Sequence, residues 1–205
     1  MLLTEKQRDA LGEVINIAFA RTAASLSELS GHRVLLDAPG IDVIPIQDVS
    51  RALSNFIKAE EVVTVHQIFS GPVAGDALLM LDDRGARTLT DLLCAPPLPS
   101  SGLDEADREA LTEVGNILLN ACLGVFGNLL HVHVTFSMPR LYLENLDKML
   151  RSIIIGTEDL RFGVVVSTEF RIKESAVSGY LALVVGVSSL ERLLNAIERW
   201  EEGQV

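Results

Sequence analysis

Two stretches of the chain carry apolar residues at the spacing of an amphipathic helix. These residues form a stripe along one side of each helix, and the second stripe follows the first by about 100 residues. The first stripe consists of Leu11, Val14, Ile15, Ala18, Thr22, Leu26 and Leu29. The second consists of Leu111, Val114, Leu118, Cys122, Val125 and Leu129. Thr4 and Asp104 precede the two stretches, and both are favourable N-cap residues. Thr4 with Gln7 also has capping-box spacing. The pattern predicts two long helices that begin just after residues 4 and 104.

The same series of shorter elements follows each predicted long helix. Strand-like runs cover Val62–Phe69 and Phe162–Phe170, and helix-like segments cover Arg84–Leu93 and Leu190–Trp200. Between them, the apolar run around Gly75 resembles the one around Gly179. The order is a long helix, a short strand pair, a short helix, a longer hairpin and a closing helix. This order predicts an α/β fold of the α+β type, with a mainly antiparallel sheet flanked by two long helices.

The chain is interpreted as one structural unit used twice. Residues 13–17 read EVINI and residues 113–117 read EVGNI, and the downstream prolines Pro39 and Pro139 keep the same spacing. A Pro- and Ser-rich segment at 95–102 is typical of a connector. We predict a single domain over 1–205, made of repeats at about 1–95 and 103–205. Because neither half is large enough to bury both faces of its own sheet, we expect two sheets that share a core around a pseudo-twofold axis.

Composition and charge exclude several classes of function. The 205 residues are 48% hydrophobic and 22% charged, which is typical of a packed globule. A net charge of −11 disfavours nucleic acid and anionic membrane surfaces, since both need clustered basic residues. The charged residues at 5–8 lead us to expect no signal peptide, and two cysteines are too few for a disulfide framework. We expect a cytoplasmic monomer.

The polar face of each predicted long helix carries a carboxylate and an amide three residues apart. In the first helix these are Glu13 and Asn16, and in the second Glu113 and Asn116. Residues at i and i+3 lie on one face, so the two side chains of a pair can act on one object. A carboxylate pairs with a cation, and an amide that donates and accepts at once is suited to holding a water in line with a phosphoryl group. With no His, Cys or Lys beside it, the pair needs an active site completed by a partner.

This pattern resembles the motif of the CheC/CheX/FliY phosphatases of bacterial chemotaxis. The first occurrence runs from Asp9 through Glu13 and Asn16 and continues, after 22 residues, to Pro39. In the second, Glu113, Asn116 and Pro139 keep the spacing, and Glu109 stands where Asp or Ser is usual in the family. The resemblance covers the whole chain and is strongest to the CheC branch, which has two motif helices. It implies hydrolysis of the phospho-aspartate of the response regulator CheY.

The family resemblance also implies roles for individual residues. Asn16 and Asn116 would orient the attacking water inside the regulator, and Glu13 and Glu113 would contact the regulator's active-site lysine. The supporting motif positions would be Asp9, Pro39, Glu109 and Pro139. The chain would need no cofactor of its own, because Mg²⁺ is expected to come from the partner regulator. CheD, a receptor-modifying deamidase, is implied as a further partner.

Two other interpretations stay open. Ile15, Phe19 and Arg21 add bulk near the first pair, where Gly115 leaves room beside the second, so we expect hindered docking at the first site and give the second more weight. Ile15, Phe19 and Glu109 suggest a non-catalytic module or adaptor for a response regulator, CheD or a flagellar-switch component. A third interpretation is that the polar faces only solubilise two core helices.

A histidine pair is the strongest competing motif. His131 and His133 would share a face if residues 131–136 form a strand, and His-x-His binds Zn²⁺ in some proteins. The sequence offers no clear third ligand, so we expect two exposed imidazoles and no metal site. Cys122 lies on the apolar stripe, where packing is its expected role.

Overall fold

The computed structural model describes residues 3–37, 40–54, 61–93, 103–129, 131, 133–154, 161–172, 175–201 and 203. The elements of the first half are α1 (Glu5–Ser30), β1 (Val34–Leu36), β2 (Gly40–Pro45), α2 (Ile46–Ser54), β3 (Val62–Ser70), β4 (Gly75–Leu81) and α3 (Asp83–Leu93). Those of the second half are α4 (Glu105–Leu129), β5 (Thr135–Phe136), β6 (Arg140–Glu144), α5 (Leu146–Ile154), β7 (Arg161–Ile172), β8 (Ser175–Gly186) and α6 (Val187–Glu201). The predicted order of helices and strands is therefore present in both halves.

Both long helices begin at the predicted residues. At α1, the backbone N–H of Gln7 donates to Thr4 Oγ1 at 3.2 Å, and the N–H of Thr4 donates to Gln7 Oε1 at 3.0 Å. At α4, the N–H of Asp107 donates to Asp104 Oδ1 at 2.9 Å, and the N–H of Asp104 donates to Asp107 Oδ2 at 3.0 Å. These reciprocal bonds satisfy backbone donors that the first helical turn leaves unpaired. They fix the register of the two motif helices.

The strands form one eight-stranded antiparallel sheet. Its order is β1-β7-β8-β4-β3-β5, and β2 also pairs with β7 while β6 pairs with β3. Pairing of β4 with β8, from Gly75 opposite Val185 to Leu81 opposite Gly179, joins the two halves. The antiparallel α+β class is confirmed, but the expectation of two separate sheets is wrong. Apolar residues on both faces of β4 and β8 let these strands lie side by side at the sheet centre.

Helices cover both faces of this sheet. Along β4, Ala77, Leu79 and Leu81 belong to the larger core cluster, with residues of α1, α3, α4 and α6. Leu78 and Met80 face the other way and pack with residues of α2 and α5. Because successive side chains of a strand point to opposite faces, β4 contributes to both core layers.

The division of a single domain into two repeats stays a prediction. Its connector at 95–102 lies outside the described residues.

The two motif helices pack against each other at equivalent positions. Thr22 Oγ1 lies 3.9 Å from Cys122 Sγ, and both residues are buried. Thr22 donates its hydroxyl proton to the carbonyl oxygen of Ala18 at 2.9 Å, which leaves the thiol as donor in the contact with Cys122. Burial raises the pKa of Cys122 from 9.0 to about 12. The polar atoms at this crossing are therefore neutral and paired.

A glycine brings α4 close to the sheet. A Cβ built on Gly115 would lie 2.6 Å from Cγ1 of Val65 and 2.7 Å from its Cβ. Real Cβ atoms do not approach that closely, so only glycine permits this distance between α4 and β3.

Within the described residues, no helix has the length and hydropathy needed to span a bilayer.

We expect Gly115→Ala to destabilise the fold by about 1–3 kcal/mol, because the added methyl group overpacks against Val65. The matched control is Gly124→Ala in the same helix, where nothing lies within 4 Å of the added Cβ. That change should stabilise the protein by up to about 1 kcal/mol through helix propensity. Urea denaturation measures both values. Equal effects of the two substitutions would contradict the close approach of α4.

The Cys122 thiol should be unreactive in the native protein. In a Cys94→Ser variant it is the only thiol, since the chain has two cysteines. At pH 8 the raised pKa should slow reaction with a disulfide reagent about a thousandfold relative to the denatured chain. Because the thiol ionises first in the unfolded state, its contribution to stability should decline as pH rises from 9.0 to about 12. Fast native labelling, measured by absorbance, would disprove the burial.

Candidate functional site

The first acid–amide pair stands on the outer side of α1. Val14 is fully buried in the core. Glu13 and Asn16 lie on the opposite side of the helix, and both are exposed to solvent. An open depression lies here, and it is lined by Arg8, Asp9, Gly12, Glu13, Asn16 and Ile41. Three predicted site residues of the first motif therefore share one accessible surface. Pro39, the fourth, lies outside the described residues.

Ile15 and Phe19, two of the three bulky neighbours of the first pair, do not block it. Ile15 is 2% exposed and Phe19 is 5% exposed, and both side chains belong to the core. The expectation that these two residues hinder docking at the first site is wrong. The physical reason is helical geometry, because adjacent residues lie about 100° apart and Ile15 turns inward where Glu13 and Asn16 turn outward.

The second pair is less open than the sequence predicted. Glu109 and Glu113 are exposed on α4, but Asn116 is only half-exposed. Its side-chain oxygen Oδ1 accepts a hydrogen bond from Asn120 Nδ2 at 2.7 Å and a longer one from Gln67 Nε2 at 3.5 Å. An amide expected to point freely into solvent is thus held by two other amides.

The orientation of these three amides follows from one backbone carbonyl. Gln67 Nε2 donates to the carbonyl oxygen of Ser137 at 2.9 Å, and that oxygen can only accept. The NH₂ group of Gln67 must therefore face Ser137 and Asn116, which sets Oδ1 of Asn116 toward Gln67. Ser137 is itself held to β3, since its N–H donates to the Ile68 carbonyl at 2.9 Å and its Oγ accepts from the Ile68 N–H at 3.0 Å. The second amide is consequently fixed by the sheet.

This amide network is incompletely satisfied. Gln67 Oε1 and Asn120 Oδ1 are buried and have no hydrogen-bond partner among the described residues. Each such orphan acceptor costs about 1–3 kcal/mol. Buried polar groups that remain unsatisfied are uncommon in native proteins, and orienting a functional group is one explanation for them.

Sequence reasoning did not assign a role to Gln67, Asn120 or Ser137. Asn120 was recognisable as a partner of Asn116, because residues at i and i+4 on a helix are neighbours. Gln67 follows His66 in the otherwise mainly apolar β3, and a buried polar side chain in a strand is a signal of a specific contact. Ser137 carries no comparable signal. Pro139 is half-buried and lies between Ser137 and the start of β6.

The structure offers no obvious metal centre in the part of the chain that it describes. No three or more His, Cys, Asp or Glu side chains cluster in a way that would hold an ion there. His131 and His133 are exposed, and neither lies in β5, which covers Thr135 and Phe136. His131 has a φ of 48°, which is incompatible with a strand at that position.

The arrangement presents hydrogen bonds and charge but no nucleophile. At the first pair, Glu13 offers a carboxylate and Asn16 an amide that both accepts and donates. At the second pair, Glu113 offers a carboxylate and Asn116 the NH₂ end of its amide. Such groups orient a water or a substrate and bind a cation.

Curated proteins are similar to the chain in sequence, whereas no family model matches it. The flagellar motor switch phosphatase FliY of Bacillus subtilis is 23% identical over 210 residues, which cover 99% of this chain and 53% of that protein. The chain therefore spans about half the length of this relative. CheC1 of Halobacterium salinarum, which carries the name of a CheY-P phosphatase, is 23% identical over 137 residues. These residues cover 66% of the chain and 68% of CheC1.

Solved structures share the fold. FliY of Thermotoga maritima matches with a TM-score of 0.79 at 22% identity, and the match covers 98% of this chain and all of that one. A chain of the FliG–FliM complex from H. pylori matches with a TM-score of 0.65 at 13% identity, over 94% of this chain and 100% of that one. The chain is therefore similar in sequence to FliY and CheC proteins, carries the doubled acid–amide motif, and shares the fold of T. maritima FliY.

Proposed function

We propose that the chain hydrolyses the phospho-aspartate of a CheY-type response regulator. The observation that carries the proposal is the exposed acid–amide pair Glu13 and Asn16 in an open depression, with a second pair on α4. A depression without a nucleophile suits a docking partner that brings its own reactive group. The names of the FliY and CheC relatives support a phosphatase family within chemotaxis.

The proposed reaction needs little chemistry from this chain. The oxygen of a water attacks phosphorus, and the bond between phosphorus and the aspartate oxygen breaks. The bonding electron pair leaves on the aspartate carboxylate, and inorganic phosphate is released. An inserted asparagine amide positions the water, and such positioning contributes several kcal/mol to catalysis.

The remaining groups are assigned to docking and to the partner. Glu13 and Glu113 would pair with the regulator's active-site lysine, because a carboxylate and an ammonium group form a charge-assisted hydrogen bond. Asp9 and Glu109, one turn earlier, would add to the acidic contact surface, and Pro39 and Pro139 would support the motif. Mg²⁺ would be supplied by the regulator. A cytoplasmic location and an interaction with CheD are parts of the same proposal.

A non-catalytic adaptor is the second candidate. It is favoured by the half-buried Asn116, whose oxygen is already bonded, and by the shared fold of a chain in the FliG–FliM complex. An adaptor for a regulator or a flagellar-switch component would bind its partner without changing the rate of phosphate loss. The assay below separates the two candidates, because it measures that rate.

Replacing both amides should abolish catalysis. We expect the double variant Asn16→Ala and Asn116→Ala to slow phosphate release from a phosphorylated receiver domain about 100-fold, toward its spontaneous rate, because the water loses its orientation. Released phosphate is measured with excess Mg²⁺ present. The matched control is Asn195→Ala, an exposed asparagine on α6 that should keep full activity. A wild-type chain that binds the receiver without accelerating release would support the adaptor instead.

Removing the paired carboxylates should weaken docking more than turnover. In Glu13→Gln with Glu113→Gln, we expect KM for the phosphorylated receiver to rise at least about tenfold with a smaller change in kcat, since each substitution removes a charge-assisted bond. Steady-state kinetics separates the two constants. Glu191→Gln, at an exposed position on α6, is the matched control. An unchanged KM in the double variant would refute the lysine contact.

A further inference from the structure

We infer that the two motif amides have different tasks: Asn16 orients the attacking water, whereas Asn116 is locked as a hydrogen-bond donor by Gln67 and Asn120. This division of labour rests on the proposed phosphatase function. In this assignment Gln67 and Asn120 are positioning residues, because they act on the partner only through Asn116.

The two ends of an amide hold a water in different ways. The attacking oxygen turns one lone pair toward phosphorus, so its hydrogens point away and can be received by another group. In an asparagine side chain only Oδ1 can receive a hydrogen of the water. An amide with an open lone pair on Oδ1 can therefore hold the water by accepting and donating, whereas an amide whose Oδ1 is occupied can only donate through Nδ2.

Asn116 has no open lone pair. A carbonyl oxygen accepts two hydrogen bonds, and Asn116 Oδ1 already faces Asn120 Nδ2 at 2.7 Å and Gln67 Nε2 at 3.5 Å. The Ser137 carbonyl at 2.9 Å prevents Gln67 from reversing its amide. What Asn116 offers to a partner is its NH₂ group, which suits a phosphoryl or carboxylate oxygen.

Asn16 lacks this lock. Four residues after Asn16 the chain has Ala20, whereas four residues after Asn116 it has Asn120. Alanine has no donor, and in the described part of the chain no hydrogen bond to the Asn16 side chain is found. Asn16 is also exposed and lines the open depression beside Glu13. With respect to the described residues, both ends of its amide are therefore open to a water and to the partner.

The chain itself supplies the matched substitution. Asn120→Ala gives the second helix the residue that the first has at position 20, and it frees one lone pair of Asn116. Phosphate release from a phosphorylated receiver is compared for wild type, Asn16→Ala, Asn116→Ala, and Asn16→Ala combined with Asn120→Ala. We expect Asn16→Ala to lower kcat about 100-fold and Asn116→Ala to lower it much less. The combination with Asn120→Ala should recover at least about tenfold in kcat over Asn16→Ala alone.

Nuclear magnetic resonance tests the lock without any phosphatase assay. In the wild-type protein the side-chain NH₂ protons of Asn120 and Gln67 should exchange slowly with solvent, and Asn116→Ala should speed that exchange. Asn16→Ala should leave it unchanged. Thermal melting of each variant identifies any loss of activity that comes from unfolding.

Each outcome has a defined meaning. If the wild-type chain is active and Asn116→Ala lowers kcat as much as Asn16→Ala, the two amides share one task and the inference is wrong. Failure of Asn120→Ala to restore turnover in the Asn16→Ala background, in a folded protein, would also overturn it. An inactive wild-type chain instead removes the proposed function, and NMR still decides whether Asn116 is locked.

Discussion

The burial of one side of α1 and α4 against the same face of the sheet is the constraint on which the site depends. The two helices meet at Thr22 and Cys122, and their apolar stripes fill the larger core cluster. Because one side of each helix is committed to this core, residues at i and i+3 on the opposite side must face outward. Glu13 with Asn16 reaches the surface for this reason, and its geometry is set by core packing rather than by contacts between the functional side chains.

The second site departs from the first at the position between the acid and the amide. Gly115 leaves no room for a Cβ against Val65, whereas the same position on α1 is occupied by the buried side chain of Ile15. The close approach brings Asn116 within reach of Gln67 on β3. The first amide is exposed, whereas the second is held by a side chain of the sheet. A repeated sequence motif does not by itself produce two equivalent sites.

The sequence was sufficient for the elements but not for every contact between them. Helix starts at Thr4 and Asp104 were predictable because capping is local chemistry, and the apolar stripe of α1 was predictable because its period is that of the helix. The single sheet was not predicted, since pairing of β4 with β8 is a contact between distant segments that periodicity does not encode. For the same reason the bond between Gln67 and Asn116, across 49 positions, was missed, although both polar faces were identified.

The unsatisfied amides favour a functional origin for this network over a stabilising one. Gln67 Oε1 and Asn120 Oδ1 are buried without donors among the described residues, so the network is less stable than a fully paired one. Apolar residues of similar shape at both positions would avoid these desolvation costs. Such apolar residues could not hold Oδ1 of Asn116 toward the protein and leave its NH₂ group free to bind a partner. Orientation of Asn116 is thus the property that Gln67 and Asn120 supply and that a hydrophobic replacement would lose.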